Sequence, residues 1–461
     1  MQRNSFLKYS SLVATSLFTP SLWDKLLADG VWNTGLTREK AINIRDYFSW
    51  DDEDVIILVE NVYEKCVLTK IMPPQVTLEH QWIMPGGFVG QWIWDSMFVV
   101  DLLSAIPGKE TVLRDVFHNY RDFQERWNKV TPEYRHNMVA CMIEPFEVVN
   151  WGNYLDWTRY PAFSQIPILA WGLEQVYKRN HDMQIVRENL ESVEKFHDWY
   201  WRERDVTSIG MVSVGSYSED RQHARNETFD NDGTLDHLNL TKHPKRNLGG
   251  EGYWYGDILV VGNTSYLVQA EQSLARLARI VGDEEMAQRR EVRIKKSISA
   301  VRKYMWDEES GLFLAVHRDT LKQIKETSVG CWMPLLAGIP TEAMAKRMAG
   351  ILASKAWHPP LPVPTMPQDD PRYTPGGFWR GDSWPPSTYQ IAKGIKDYGY
   401  DDLAADIADK MIDNAIKNGV NERYDTQTGK GLGVEYLGMS CSLVTMMLED
   451  ITRKHNLYLI H

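Results

Sequence analysis

Apolar positions along this chain step by three and four. Between residues 264 and 281 they fall at Leu267, Ala270, Leu274, Leu277 and Val281, and between 286 and 306 at Ile294, Ile298, Val301 and Met305. Leu190, Val193, Phe196 and Tyr200 form a third stripe, and Leu403, Ile407 and Met411 a fourth. Each has the period of one buried helix face. Gly282-Asp283-Glu284-Glu285 reads as a helix stop and an acidic restart, which predicts a hairpin of two helices. Met97–Ile106 runs apolar, as the buried start of a helix would. Alternation with period two is scarce, and Met211–Val214 and Leu312–Val316 are the best short strand candidates.

Between these segments lie long stretches rich in Gly, Pro, Trp and acid: 80–95, 144–165, 215–256, 357–388 and 418–438. Loops of that length inside a compact chain usually carry function. Helix pairs separated by such loops predict an all-α toroid, each pair giving one inner and one outer helix, with the loops gathered at one end. A length of 461 residues exceeds the usual single domain, but a closed repetitive architecture can hold it, and no Ser/Gly/Pro linker divides the chain. Residues 23–461 are therefore read as one domain. Ahead of them, Arg3 and Lys8, a modest apolar run from Tyr9 to Phe18, and Pro20 have the order of a signal peptide over residues 1–22. That reading sends the protein to the periplasm or outside the cell; the other reading is an ordinary N-terminal helix of a cytoplasmic protein. No later stretch is long and apolar enough to span a membrane.

The net charge of −11 argues against a nucleic-acid partner. Cys66, Cys141, Cys331 and Cys441 lie far apart, and neither C-x-x-C nor H-E-x-x-H occurs. Mostly buried free thiols are expected, with no dedicated metal site and no cofactor. The unusual numbers are 18 Trp and 21 Tyr, a surplus that suits carbohydrate handling.

The chemistry is concentrated in four loops. Gly86-Gly87-Phe88-Val89-Gly90-Gln91-Trp92-Ile93-Trp94-Asp95-Ser96 presents indoles and a carboxylate at a helix mouth. Such a platform stacks on the C–H face of a sugar and accepts its hydroxyls. The stretch 215–232 crowds Glu219, Asp220, Glu227, Asp230 and Asp232 beside Arg221 and Arg225. Crowded carboxylates raise one another's pKa, which keeps a general acid protonated near neutrality; a solvated acidic loop has the same composition. In Phe378-Trp379-Arg380-Gly381-Asp382-Ser383-Trp384-Pro385-Pro386, Arg380 reads as a planar donor fork between two indoles. In Asn421-Glu422-Arg423-Tyr424-Asp425, Glu422 precedes a Gly-rich turn, Gly429 to Gly433, that can bring backbone close to a ligand.

The G-G-F-x-x-Q-W-x-W-D-S, F-W-R-G-x-x-W-P-P and N-E-x-Y-D-x-x-T-G strings occur in this order. Together they resemble the signature of bacterial glycoside hydrolase family 63, related to the family 37 trehalases and to mannosylglycerate and glucosylglycerate hydrolases. The resemblance runs from about residue 80 to 450. It implies an (α/α)6 barrel and a single catalytic domain that hydrolyses α-glucosidic bonds with inversion, without a cofactor. By the same resemblance Asp230, in Glu227-Thr228-Phe229-Asp230-Asn231-Asp232, falls on the general acid, with Asp232, Asp220 and Glu227 as alternatives. Glu422 falls on the general base. Trp94, Asp95, Gln165, Glu227, Trp379, Arg380, Gly381, Trp384, Glu435 and Tyr436 fall on substrate-contacting positions. The family's aromatic F-x-W before the last helix is absent from Leu437-Gly438-Met439-Ser440-Cys441, a departure that bears on the leaving group.

In this scheme the acid protonates the leaving oxygen while the base deprotonates a water attacking the far face of the ring. The two carboxyls then stand about 6.5–9.5 Å apart. Asp95 would stabilise oxocarbenium charge. Three rivals use the same residues differently. An epimerase would draw on His223 and His237, a phosphorylase would require phosphate, and a sugar-binding relic would have lost its acid.

Overall fold

A computed structural model describes the chain except at residues 1–41, 87–88, 132, 134–135, 141, 144, 146–163, 206, 214–239, 242–252, 255–256 and 461. Two compact units are distinguished. The smaller is described at residues 42–48 and 460, where the turn Ile44–Asp46 is fastened by Asn43 Nδ2 donating to Asp46 Oδ1 at 2.9 Å. The larger spans Ser49–Leu459. The expected signal peptide at 1–22 lies outside the described residues.

Twelve helices of the larger unit, among the described residues, are α1 (Glu53–Val62), α2 (Ile93–Leu103), α3 (Glu110–Val130), α4 (Leu169–Asn180), α5 (Met183–Arg204), α6 (Val261–Val281), α7 (Glu284–Tyr304), α8 (Met333–Leu336), α9 (Glu342–Leu352), α10 (Pro385–Lys396), α11 (Asp401–Asn418) and α12 (Ser442–Leu448). Six of them touch in a closed cycle: α2 packs on α4, α4 on α6, α6 on α8, α8 on α10, α10 on α12, and α12 back on α2. The intervening helices pack against this cycle, α5 on α4 and α6, α7 on α6, and α11 on α10.

The sequence explains who sits where. All 11 residues of α2 are buried, as a helix apolar on every side must be. By contrast α11 buries Ala404, Ile407, Ala408, Met411 and Ile412 and turns Asp401, Asp402 and Asp406 to solvent. Gly394 of α10 has no room for a side chain: a Cβ there would lie 2.7 Å from the Leu336 nitrogen of α8. Buried polar ties complete the cycle. Asp101 of α2 pairs with Arg179 of α4 at 2.7 Å and accepts the Thr445 hydroxyl of α12 at 2.8 Å. Glu174 of α4 accepts from Ser273 and Arg276 of α6, at 2.7 and 2.8 Å.

The predicted hairpin is α6–α7. Gly282, at φ +90°, ends α6, and the Asp283 carboxylate caps α7 by accepting from the Met286 N–H at 2.8 Å. The stripe predicted for α7 is shifted, however. Ile294 and Ile298 are only half-buried, and the covered face runs through Met286, Ala287, Arg290, Ser297 and Val301. Arg290 goes inside because it is paired there, with Asp198 at 2.6 Å, with Glu271 at 3.4 Å, and with Glu194. A buried guanidinium is tolerated only with such partners.

The strands are short. β1 (Ile71–Met72) pairs with β2 (Trp82–Ile83), and β3 (Gln91–Trp92) with β4 (Met142–Ile143). β5 (Ile258–Leu259) meets β8 (Val316–His317), and β6 (Trp306–Asp307) meets β7 (Leu312–Phe313). The expected strand at 312–316 is thus divided between β7 and β8. At 211–214 the described residues hold a single bridge, Ser213 to Leu259. A three-stranded sheet follows, β9 (Asp382–Ser383), β10 (Asn421–Asp425) and β11 (Gly431–Glu435). Cys66, Cys331 and Cys441 are buried free thiols; Cys141 lies outside the described residues. Among the described residues, no helix is long and apolar enough to cross a membrane.

Candidate active site

The stretch 418–438, expected to be loop, is a β-hairpin of β10 and β11. Asn421 pairs with Glu435 and Arg423 with Leu432, and the register slips between these pairs. Gly433 and Val434 therefore stand opposite Glu422 alone. A bulge of this kind bends its strand and re-aims a side chain. Gly433 sits at φ +76°, and a Cβ on it would lie 2.1 Å from Glu422 Oε2, so glycine is required twice over. The bulge turns the Val434 N–H onto Glu422 Oε2 at 2.9 Å.

A second carboxyl comes from the first turn of α2. Gln165 Oε1 accepts the Trp94 N–H at 2.9 Å, one of the donors that a helix start leaves without an intrahelical partner. Tyr200 donates its hydroxyl to the Gln165 carbonyl, so the turn bearing Trp94 and Asp95 is fixed from the segment before α4. Asp95 is buried. Burial first, and then the nearby Glu422 charge, push its carboxyl up to about 7. Burial also raises Glu422, against the Val434 N–H and the Arg423 guanidinium, which favour its ionised form. Two carboxyls that feel each other away from water resist being ionised together.

The third element joins this pair through the sheet. β9 pairs with β10, Asp382 opposite Asp425 and Ser383 opposite Tyr424. Arg423 donates to the Gly376 carbonyl at 2.9 Å and reaches Asp382 Oδ2 at 3.3 Å. Burial pushes Asp382 up to about 6, with the Thr365 hydroxyl, 2.6 Å from Oδ1, and Arg423 working against that rise. The loop before α2 is stitched in as well, by the Gly438 N–H donating to the Pro85 carbonyl at 2.7 Å.

Trp379 and Trp384 stack directly on each other, centroids 4.5 Å apart and planes 9° apart, and both are buried. Arg380 is therefore not interleaved between the indoles as expected. Gly381, at φ +138°, makes a turn so tight that a Cβ would lie 2.5 Å from the Thr374 carbonyl oxygen, and this turn brings the indoles face to face. The Arg423 guanidinium lies against the aromatic group, 5.3 Å from the Phe378 ring centre. Trp94 is buried edge-on between Phe98 and Tyr266, at 5.1 and 5.6 Å. Glu435 is exposed on β11, while the Tyr436 hydroxyl accepts from Lys65 Nζ at 3.2 Å.

Asp95, Trp94, Gln165 and Glu422 thus form one group, and Trp379, Gly381 and Trp384 are tied to it through Asp382 and Arg423. Asp230, Glu227, Asp220 and Asp232, with His223 and His237, lie outside the described residues. Sequence reading missed Arg423, Asp382, Gly433 and Val434. The Gly431-Leu432-Gly433 string was the available signal, but its meaning depends on strand register.

Residues 89–440 match the family model described as the mannosylglycerate hydrolase MGH1-like glycoside hydrolase domain. The chain is 27% identical over 184 residues to a mannosylglycerate hydrolase of Rubrobacter radiotolerans, covering 39% of this chain and 41% of that one. It thus spans about two fifths of the length of that relative. Over 398 residues it is 21% identical to a periplasmic trehalase of Citrobacter koseri, covering 77% of this chain and 64% of the trehalase. Its fold resembles the solved GH63 mannosylglycerate hydrolase of Thermus thermophilus in complex with glucose, with a TM-score of 0.62 at 19% identity, over 84% of this chain and 98% of that one. The match takes in the start of α2, the paired indoles and the Glu422 hairpin, and the chain belongs to the MGH1-like glycoside hydrolase domain family.

Proposed function

We propose that this protein is an inverting glycoside hydrolase that cleaves the α-glycosidic bond of a small glycoside on an (α/α)6 barrel. The closed cycle of α2, α4, α6, α8, α10 and α12 supports the barrel. The observation that carries the chemistry is that the buried Asp95 and the half-buried Glu422, aimed by its bulge, face one site, where the Glu422 charge helps to raise the Asp95 carboxyl. Glu422 is the general base, its carboxylate aimed by the Val434 N–H. Asp230 is the general acid. Asp95 holds a sugar hydroxyl beside the reacting carbon. Trp94, Gln165, Trp379, Gly381 and Trp384 shape the sugar subsite around the pair; Glu227, Arg380, Glu435 and Tyr436 border it.

An anionic aglycone such as glycerate is the favoured leaving group. Lys70 is half-buried against Gly86, where a Cβ would lie 2.8 Å from its Nζ. Burial lowers its pKa, and among the described residues no carboxylate bonds it. Lys65 stands 4.4 Å over the Tyr436 ring. Two ammonium groups beside the loop that leads to Asp95 suit a carboxylate. Removal of residues 1–22, visible in the intact mass of the native protein, would place the enzyme in the periplasm or outside the cell.

A panel of α-linked disaccharides, mannosylglycerate and glucosylglycerate, followed by NMR, tests the reading. Hydrolysis of a glycosyl glycerate with the β anomer appearing first is expected. An α anomer appearing first excludes inversion. Turnover only with phosphate, isomerisation of a free sugar, or binding without turnover would replace the hydrolase with a phosphorylase, an epimerase or a relic. Gly433→Ala is expected to lower kcat roughly 100-fold by displacing the base, while a cooperative thermal melt is retained; unchanged kcat would mean that the bulge does not position Glu422.

A further inference from the structure

We propose that His80, Asp115 and His118 form a binding site for one transition-metal dication of the zinc type, outside the candidate active site. One ligand atom from each of these residues lies within 4.8 Å of the other two. Asp115 and His118 are three apart on α3 and so share a face, and His80 comes from the turn before β2. That turn is already fastened to α3. The His80 N–H donates to Asn119 Oδ1 and the Gln81 N–H to Asp115 Oδ2, each at 3.2 Å, and Asn119 Nδ2 donates back to the Gln81 carbonyl at 2.9 Å. The 80–81 turn and the helix bearing Asp115 and His118 are therefore held together before any cation arrives.

The surroundings of the rings have the form of a metal centre's outer layer. His80 Nε2 is 2.9 Å from Asp122 Oδ2, and its Nδ1 is 3.9 Å from Asp115 Oδ1. His118 Nε2 and Arg114 Nε lie 3.4 and 3.1 Å from Glu188 Oε2, close enough for charge pairing but not aligned as hydrogen bonds. Metal-bound histidines characteristically give their second ring N–H to a carboxylate, which orients the ring and strengthens the other nitrogen as a donor. Here His80 Nε2 is committed in that way, which leaves its Nδ1, on the side of Asp115, for the cation. Two imidazoles and one carboxylate favour zinc, nickel, cobalt or copper over magnesium or calcium. Three protein ligands leave a fourth position for water.

The ion would act as a clasp. The same helix holds the strand that leads into the active site: Gln91 Nε2 donates to the Val116 carbonyl and the Tyr120 hydroxyl to the Trp92 carbonyl, each at 3.0 Å. Cross-linking the 80–81 turn to α3 secures the support on which Trp94 and Asp95 stand.

Calorimetric titration of the EDTA-treated, dialysed full-length protein with zinc chloride is expected to show one equivalent bound. The melting temperature should rise by a few degrees at saturation, and magnesium or calcium chloride should do neither. His80→Gln, whose amide can still reach Asp122, and His118→Gln should each weaken zinc binding at least roughly 10-fold, with the metal-free melting temperature nearly unchanged. Copper-loaded wild-type protein should show imidazole nitrogen coupling in its electron paramagnetic resonance spectrum. No saturable zinc binding below about 1 mM overturns the proposal. So does undiminished zinc affinity in the His80→Gln, His118→Gln double variant, or a copper spectrum without nitrogen coupling.

Discussion

Glu422→Gln is expected to reduce turnover by roughly 1,000-fold or more while leaving KM within a small factor. The amide is nearly isosteric with the carboxylate, and its oxygen can still accept the Val434 N–H, so the bulge and the sheet persist. What is lost is a group able to take a proton from water. A second readout separates this from a packing defect. The Glu422 charge is one of the causes that hold Asp95 near 7, so its removal lowers the Asp95 pKa, which difference infrared or NMR titration follows. Activity within a few-fold of wild type would place the base elsewhere, and an unmoved Asp95 pKa would mean that the two carboxyls do not interact.

Asp95→Asn should move activity and stability in opposite directions. Asp95 titrates near 7 in the fold against an ordinary 3.8. The folded state therefore keeps a proton that the unfolded chain gives up. Between about pH 4 and 7 the unfolded state binds fewer protons, so the wild-type protein loses stability as pH rises and stays at the lower level above 7. Asparagine cannot ionise. The variant should match wild type near pH 4 and exceed it at pH 8 by roughly 1–4 kcal/mol, the range allowed by a shift of this size shared between coupled groups. Urea unfolding at the two pH values measures this, and a variant less stable at pH 8 would refute the burial cost. Turnover should fall roughly 100- to 1,000-fold. Substrates with a good leaving group show which carboxyl is the acid: the defect of Asp230→Asn should largely disappear on them, and that of Asp95→Asn should not.

Much of the helical frame is legible in the chain because one-sided burial leaves a period. The stripes at 190–200, 264–281 and 403–411 sit on α5, α6 and α11, and Gly282-Asp283 marks the α6–α7 turn. The stripe on α7 is misplaced because Arg290 is buried by charge pairing with residues of α5 and α6, which apolar spacing cannot register. The motif strings locate Asp95, Glu422 and the paired indoles. They do not reveal the β10–β11 hairpin, whose strands carry Asn, Glu, Arg and Gly instead of alternating apolar residues. Nor do they reveal that Arg423, one residue beyond the expected base, connects the hairpin to Asp382. Those relations arise from strand register and a single bulge, which exist only once the chain has paired.

The cycle of helices closes between α12 and α2, where Thr445 bonds Asp101. A nascent chain emerging from the ribosome therefore makes its greasiest helix early and its last neighbour at the end. Until residues near 445 are out, α2 has an uncovered flank, and Asp95 waits more than three hundred residues for its partner at 422. Nonsense mutations late in the gene should thus be as damaging as early ones. Their products would expose α2 to aggregation and to the cell's proteases.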